Sequence, residues 1–435
     1  MRVLGDLDPN VGWDGRELFD ARRSEPGTDP PFDLRGGAAS VTASSSGEWR
    51  ILRDPLGINK LFWALNGEDA ILLAARPRLL VDAGIAFRDI LAVPSGAVVD
   101  LFADGEMREE RSIRPSRWFE TTENSGADVA STATRIRERI VDYLLTVARS
   151  FPDAPVFVCL SGGLDSSGIA CLAREVFPHL VAVSFDLDRP GRRVSDDRAA
   201  AVRLAGDLGL QLLVATPDAR SVLTHLDTVL VEGIDWRDFN VHAALVNAAI
   251  AQAIHEAVPA RDQALVLTGD LANEFLIDYQ EEHLSGSIYY RLPRLEPLQL
   301  RAHLVRGAET SHREVGIFSA WGLITVQPYA VAVDDYLDLP ADLLSQDGRK
   351  QTLGRAVFGS RLPDYIFRRT KVRAQMGSPE GDGVLAACIE AGIDAAWLRR
   401  RFSRLLGARE EDLTRFMRAG VYRSEPPRLG GRSDA

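Results

Sequence analysis

The rhythm of apolar and polar positions changes near residue 130. Before it, the short apolar runs EWRILRD, KLFWAL, AILLAA and GAVVDLF are separated by Gly, Asn and Pro, which predicts an antiparallel sheet with brief helices. SEPGTDPPFD reads as a surface loop, and ETTENSGADVAS (120–131) as a polar linker. Beyond it, TRIRERIVDYLLTVARSF places Ile136, Ile140, Tyr143, Leu144 and Val147 on one helical face. PVFVCL, LVAVSFD, QLLVAT and ALVLTGD then predict buried strands. Between them, DSSGIACLAREVF, SDDRAAAVRLAGDLG and a segment of about 240–256 predict helices. Strands and helices alternating through such short loops imply a parallel sheet covered on both faces. From about 295 the chain is expected to be mainly helical, with GSPEGDG a mobile loop and SEPPRLGGRSDA a frayed tail.

Composition narrows the class. A chain of 435 residues has room for two or three domains, and 46% hydrophobic with 26% charged residues is ordinary for a soluble protein. The formal net charge of -11 argues against a general nucleic-acid binder. Cys159, Cys171 and Cys388 have neither metal-like nor disulfide-like spacing, as expected in a reducing compartment. Cys159 and Cys171 lie in apolar surroundings that suit core packing. The N-terminus has no signal-peptide pattern, and no run approaches the roughly 18 apolar residues of a membrane span. A cytoplasmic protein without membrane or nucleic-acid partners is expected.

The chemistry concentrates in VCLSGGLDSSGI (158–169), where a greasy strand runs into two glycines, a carboxylate and three hydroxyls. Glycines let a backbone approach a phosphate, and the helix that follows aims unpaired N–H groups and a positive dipole end at the same point. Ser161, Ser166 and Ser167 add hydroxyl donors. Asp165 would repel a bare phosphate, which suggests a divalent cation, usually Mg²⁺, between carboxylate and polyphosphate. The plain alternative is a Gly-Gly turn with Ser and Asp as helix caps.

The string resembles the pyrophosphatase loop S-G-G-x-D-S-S of the asparagine-synthetase superfamily, whose members cleave ATP between its α- and β-phosphates. It has no G-K-[ST], so transfer of the γ-phosphate is not implied. Further segments follow in that family's order. VSDDRAAAVRLAGDLG (194–209) is similar to its acidic-pair helix, with Asp196 and Asp197 at the pair. VLTGDLANEFLIDY (266–279) is similar to its L-x-G-D-G-A-D-E-L-F-x-G-Y, and ITVQPYAVAVDDYLDLP (324–340) to its R-x-P-Y-L-D segment. GRKQTLGRAV and LPDYIFRRTKVRAQMG resemble its two basic regions. The resemblance covers about 130–380 and implies an adenine-nucleotide α-hydrolase-like synthetase domain over 130–425. The implied ATP site is Leu160, Ser161, Gly162, Gly163, Asp165, Ser166, Ser167, Ser184 and Gly269, with Asp165 and Asn273 as metal ligands. Two departures stand out: Asn273 replaces the family's second metal-binding aspartate, and Leu271 replaces a glycine.

RDPLGINKLFWAL (53–65) resembles the glutamine-hydrolysing domains of the same superfamily, which implies an αββα sandwich over 1–122. Those domains use a cysteine at position 2 as nucleophile. Here position 2 is Arg2 and the first cysteine is Cys159, so the thioester route to ammonia is lost. A cysteine-less first domain beside an adenylation site resembles β-lactam and carbapenam synthetases and lasso-peptide macrolactam cyclases. In the β-lactam branch a Tyr–Glu pair deprotonates the amine. Asp270 stands at that tyrosine's place, and Glu314 in HREVGIFSAWGL is the best match to the glutamate. Lys371 matches the lysine that would stabilise charge on the α-phosphate, while Lys350 reads as more structural. The basic cluster Arg368, Arg369, Lys371 and Arg373 could instead be a solvated face, and WLRRRFSRLL (397–406) an amphipathic surface helix.

The expectation is therefore an ATP- and Mg²⁺-dependent, AMP-forming amide synthetase of specialised metabolism. It would join a carboxylate and an amine of one small molecule or peptide as a lactam or macrolactam. An intermolecular ligase using a separate amine, hydrazine or ammonia stays open, as do a non-catalytic nucleotide-binding scaffold and a homodimer.

Overall fold

The computed structural model describes residues 2–4, 11–13, 39–43, 49–66, 71–101, 107–112, 128–191, 194–258, 263–284, 287–308, 312–369, 372–378, 381–418 and 421–424. The loop SEPGTDPPFD, most of the 120–131 linker and nearly all of the tail fall outside them.

Five strands form the central sheet, in the order Gln211–Ala215, Leu180–Phe185, Val156–Cys159, Leu265–Leu267 and Ile324–Val326. Every neighbouring pair is parallel. Four of these strands are the apolar runs read from the sequence. The fifth, Ile324–Val326, runs straight into Gln327-Pro328 and was not read as a strand from the sequence. Side chains alternate across the sheet as its pleat requires. Val158, Ala182 and Leu265 join a core with Ile140, Leu144 and Ile169 of the helices Val129–Ser150 and Leu164–Val176. Phe157, Val183 and Val266 point the other way, into a core with Leu245 and Ile250 of the helix Asp238–Ala257. Asp128 and Ser195 cap two of the surrounding helices, accepting from the Ser131 and Arg198 amides at 3.0 and 3.2 Å.

The strand order fixes where a ligand can sit. From Val156–Cys159 the chain builds outward to Gln211–Ala215, then returns to the other side with Leu265–Leu267. The loops leaving these two adjacent central strands therefore diverge and leave a crevice at their carboxyl ends, the usual binding position in open parallel sheets.

The N-terminal strands form two more sheets. One orders Arg2–Val3, Ile71–Ala74, Phe62–Leu65 and Leu91–Ala92; the other orders Val11–Trp13, Ala39–Ala43, Trp49–Arg53, Ala97–Leu101 and Met107–Ser112. Trp63, Leu73 and Leu91 pack with Ile51 and Val99 between the sheets. Phe62, Ala64 and Leu72 face the opposite way and share a core with Phe402, Phe416 and Tyr422. Much of the helical layer on that face thus comes from the far end of the chain, through the helices Ala395–Leu405 and Glu410–Phe416. The first of these buries Leu398 and Phe402, as an amphipathic reading of WLRRRFSRLL expects. Arg423 completes the return: its carbonyl accepts from the Ala92 amide at 2.8 Å. Among the described residues no helix is long and apolar enough to cross a membrane.

Candidate active site

The loop Leu160–Gly163 leaves its strand at the crevice and turns sharply into the helix Leu164–Val176. Gly162 makes the turn with φ +69°, and a Cβ there would lie 2.4 Å from the Ala200 Cβ. The hydroxyls of Ser161 and Ser166 are 3.1 Å apart, and Ser166 Oγ also accepts from the Ser161 amide at 3.2 Å. Facing this loop, Gly269 follows the adjacent strand so closely that a Cβ would come 2.7 Å from the Ser166 nitrogen. A cavity of about 220 Å³ opens between the two loops, with Leu160, Ser161, Gly163, Asp165, Ser166, Ser184 and Gly269 in its wall. Gly162 and Ser167 stand behind that wall; Ser167 is fully buried, and its hydroxyl has no partner among the described residues. The Thr268 hydroxyl is likewise buried without a partner, but it lines the cavity, as suits a donor held for a ligand. The glycine-lined approach, the serine hydroxyls and this orphaned hydroxyl fit a nucleotide's phosphates.

The pair expected to hold Mg²⁺ is arranged differently. Lys350, on the helix Arg349–Phe358, donates from Nζ to Asp165 Oδ2 and to Asn273 Oδ1, both at 2.6 Å. Its third neighbour is Asp278 Oδ2 at 3.1 Å. Burial works against the charge on Lys350, but the Asp165 and Asp278 carboxylates outweigh it and hold its pKa above the ordinary value. An ammonium between the two oxygens repels a divalent ion, so this donor set, as arranged, does not fit a bound Mg²⁺. Among the described residues no three His, Cys, Asp or Glu side chains converge as a metal site. Leu271, which stands where the motif has glycine, adopts left-handed backbone with φ +81°. Its side chain is buried in the core below the sheet, and that packing holds the strained turn in place.

Asp270 and Glu314 are brought together by a residue the sequence did not single out. Arg313 hydrogen-bonds Glu314 through Nε and lies 3.6 Å from Asp270 Oδ1. Its NH1 reaches Asn240 Oδ1 at 3.4 Å, and its carbonyl accepts from Asn247 Nδ2 at 3.0 Å. Burial pushes the Glu314 carboxyl up to about 7; Arg313 pulls it down and Asp270 pushes it further up. All three line the same cavity as the serine loop. Tyr279 is a further member of that wall, donating to Glu274 Oε1 at 2.6 Å. Burial and the Glu274 charge raise its phenol well above the usual range.

The basic segment divides. Arg368 pairs with Asp364 on the exposed side, as a solvated face would. Arg369 and Arg373 turn inward: Arg369 pairs with Asp197 and donates to the Ser161 carbonyl at 3.4 Å. Arg373 pairs with Glu282 and lies over the rings of Phe239, Tyr279 and Tyr290 at 4.8, 5.3 and 5.1 Å. Lys371 lies outside the described residues. Of the acidic pair 196–197, Asp197 reaches the cavity and Asp196 is exposed. Cys159 also lines the cavity, and burial raises its thiol so that it stays protonated, as suits a packing role.

Residues 145–316, which carry the serine loop, the Asp270 turn and Glu314, match the family model for asparagine synthase. That segment is an asparagine-synthase-like domain. The chain is 25% identical over 376 residues to asparagine synthetase B (glutamine-hydrolysing) of Escherichia coli, with 82% of this chain and 63% of that protein covered. The chain thus spans less than two thirds of that relative's length. Among solved structures it is similar to the NH3-dependent NAD synthetase of Campylobacter jejuni, at 18% identity and a TM-score of 0.25. That match covers 36% of this chain and 62% of the other. It is also similar to the NMN synthetase of Francisella tularensis, at 13% identity and a TM-score of 0.31, covering 66% and 92%.

The N-terminal sheets can be set beside the glutaminase-like motif read from the sequence. Position 2 lies in a strand paired parallel with Leu72–Leu73. Arg53, from the motif similar to glutaminase domains, is fully buried and donates to the carbonyls of Val93 and Gly57. Asp54 beside it accepts from the amides of Ile58 and Asn59 at 2.9 and 3.2 Å. These groups tie a loop together. The same region braces the synthetase side: Lys60 donates to the Ala308 carbonyl at 3.2 Å, and Arg76 pairs with Glu232 at 2.7 Å.

Proposed function

We propose that this chain is an ATP-dependent amide-forming ligase that makes an acyl-adenylate and closes a lactam or macrolactam. The observation that carries the reading is the placement of two kinds of chemistry in one cavity. A serine-glycine cradle lies at the switch point of the sheet, and a part-buried Asp270–Arg313–Glu314 cluster lines the same space.

In the first step a substrate carboxylate oxygen attacks the α-phosphorus of ATP. The bond from that phosphorus to the bridging oxygen breaks, and pyrophosphate leaves. Ser161, Ser166, Thr268 and the N-terminal amides of the helix Leu164–Val176 hold the phosphates. Pyrophosphate has a way out past Gly163, where a second cavity of about 480 Å³ is lined by five cations, Arg349, Lys350, Arg368, Arg369 and Arg373, and by the carboxylates of Asp278, Glu282 and Asp347.

In the second step an amine attacks the acyl carbon, and the carbon–oxygen bond to AMP breaks. The amine must lose a proton. Glu314, with a pKa near neutrality, accepts it and returns it to water. Arg313 orients that carboxylate, and its charge favours the tetrahedral oxyanion if the intermediate lies against it. Arg53, turned onto the Val93 and Gly57 carbonyls, argues against glutamine as the source of the amine, and an amine of the same molecule is the reading adopted. Mass spectrometry of an amino-substituted carboxylic acid labelled with ¹⁸O in its carboxylate tests both steps. One label should pass into AMP, and the product should weigh one water less than the substrate without added amine. An unlabelled AMP would contradict adenylation. A product formed only with added amine would replace ring closure by ligation.

A further inference from the structure

Lys350 occupies the position where the oxygens of Asp165 and Asn273 converge. Its contacts of 2.6, 2.6 and 3.1 Å to Asp165, Asn273 and Asp278 match the three N–H donors of an ammonium. An Mg²⁺ ion would need those oxygens drawn in to about 2.1 Å around a centre the nitrogen now fills. The lysine is held there. Its neighbour Arg349 donates to the Leu276 carbonyl at 2.8 Å and to the Ile277 carbonyl, which clamps the start of its helix to the turn that carries Asn273. The lysine side chain is only 6% exposed, so little of it meets water.

We propose that Lys350 is a built-in cation that stands in for a protein-bound divalent ion in the nucleotide-free site, and that Asn273 is the residue that fits it. An amide oxygen accepts from the ammonium without the second negative charge that would draw in a metal. With Asp165 and Asp278 each at -1 and Lys350 at +1, the set is only singly negative. An aspartate in place of Asn273 would add a second charge for a metal, but only removal of the ammonium would free the centre for one. This deepens the ligase reading of the same cradle, but its test needs no turnover, so the two can fail separately.

The test is Mn²⁺ uptake by the full chain without nucleotide, read from the electron paramagnetic resonance signal of free Mn²⁺. The double variant Asn273→Asp, Lys350→Met should bind Mn²⁺ at least about tenfold more tightly than the wild type. Equal uptake by the two proteins, whether strong or absent, would overturn the proposal. Asn273→Asp alone retains the lysine and serves if the double variant does not fold. Its uptake should stay near the wild-type level, and tight binding by it would overturn the proposal as well.

Discussion

Gly269 and Ser166 meet backbone to backbone, so near that a Cβ on Gly269 would lie 2.7 Å from the Ser166 nitrogen and 2.9 Å from the Asp165 carbonyl carbon. Neither neighbour is the free end of a flexible side chain, so the clash can be relieved only by moving the loop. Gly269→Ala should therefore cost about 1–3 kcal/mol of stability by overpacking. It should weaken binding of a non-hydrolysable ATP analogue by about tenfold or more, because donors displaced by an ångström no longer point at the phosphates. Calorimetry on the folded variant reads this, and unchanged affinity would mean that the phosphates lie elsewhere.

Glu314 supplies a pH dependence with a definite sign. Its folded pKa of about 7 lies above the ordinary value of 4.5, so the folded state holds the proton more tightly than the unfolded chain. The stability this contributes is complete below 4.5 and is lost as the pH rises through about 7. Activity should run the opposite way, rising through the same range as the base loses its proton. Glu314→Gln should flatten the rising limb of the kcat profile, leave ATP affinity within about twofold, and lower kcat by about 10²-fold or more.

Lys350→Met should destabilise the fold by about 2–4 kcal/mol, because it leaves two part-buried carboxylates without their cation. Adding Asp165→Asn to that variant should restore part of the loss. The lysine's pKa is raised, so its contribution is present below 10.5 and is lost only as the pH climbs through the higher folded value. Chemical denaturation of the single and double variants separates this charge pairing from simple loss of packing.

Arg76 tests whether the N-terminal sheets brace the synthetase. It is buried, pairs with Glu232 and lies 3.5 Å from the Gly316 carbonyl, two residues from Glu314. Arg76→Ala should lower stability by about 2–4 kcal/mol. It should also raise proteolysis within 312–320, measurable by limited digestion and mass spectrometry.

Much of this arrangement was legible in the sequence. Four of the five central strands are apolar runs set off by helices, and VCLSGGLDSSGI declares a strand, a turn and a helix in that order. Ile324–Val326 was not legible, because it becomes a strand only beside Leu265–Leu267. Arg313 gave no local signal either; it matters because folding sets it between Asp270 and Glu314. Nothing in GRKQTLGRAV says that Lys350 reaches Asp165, 185 residues away. The return of Phe402, Phe416 and Tyr422 onto the first sheet is equally long-range, and composition near residue 125 suggested a cleaner division of the chain. Local rhythm reveals elements, whereas partners that meet across the fold are fixed by packing.

The ligase reading stands or falls on one reaction. The full chain, incubated with ATP and a panel of amino-substituted carboxylic acids, should release pyrophosphate and AMP in equal amounts with at least one of them. Asp165→Ala should abolish that release. No pyrophosphate with any acid, together with ATP binding unchanged by Asp165→Ala, would contradict it.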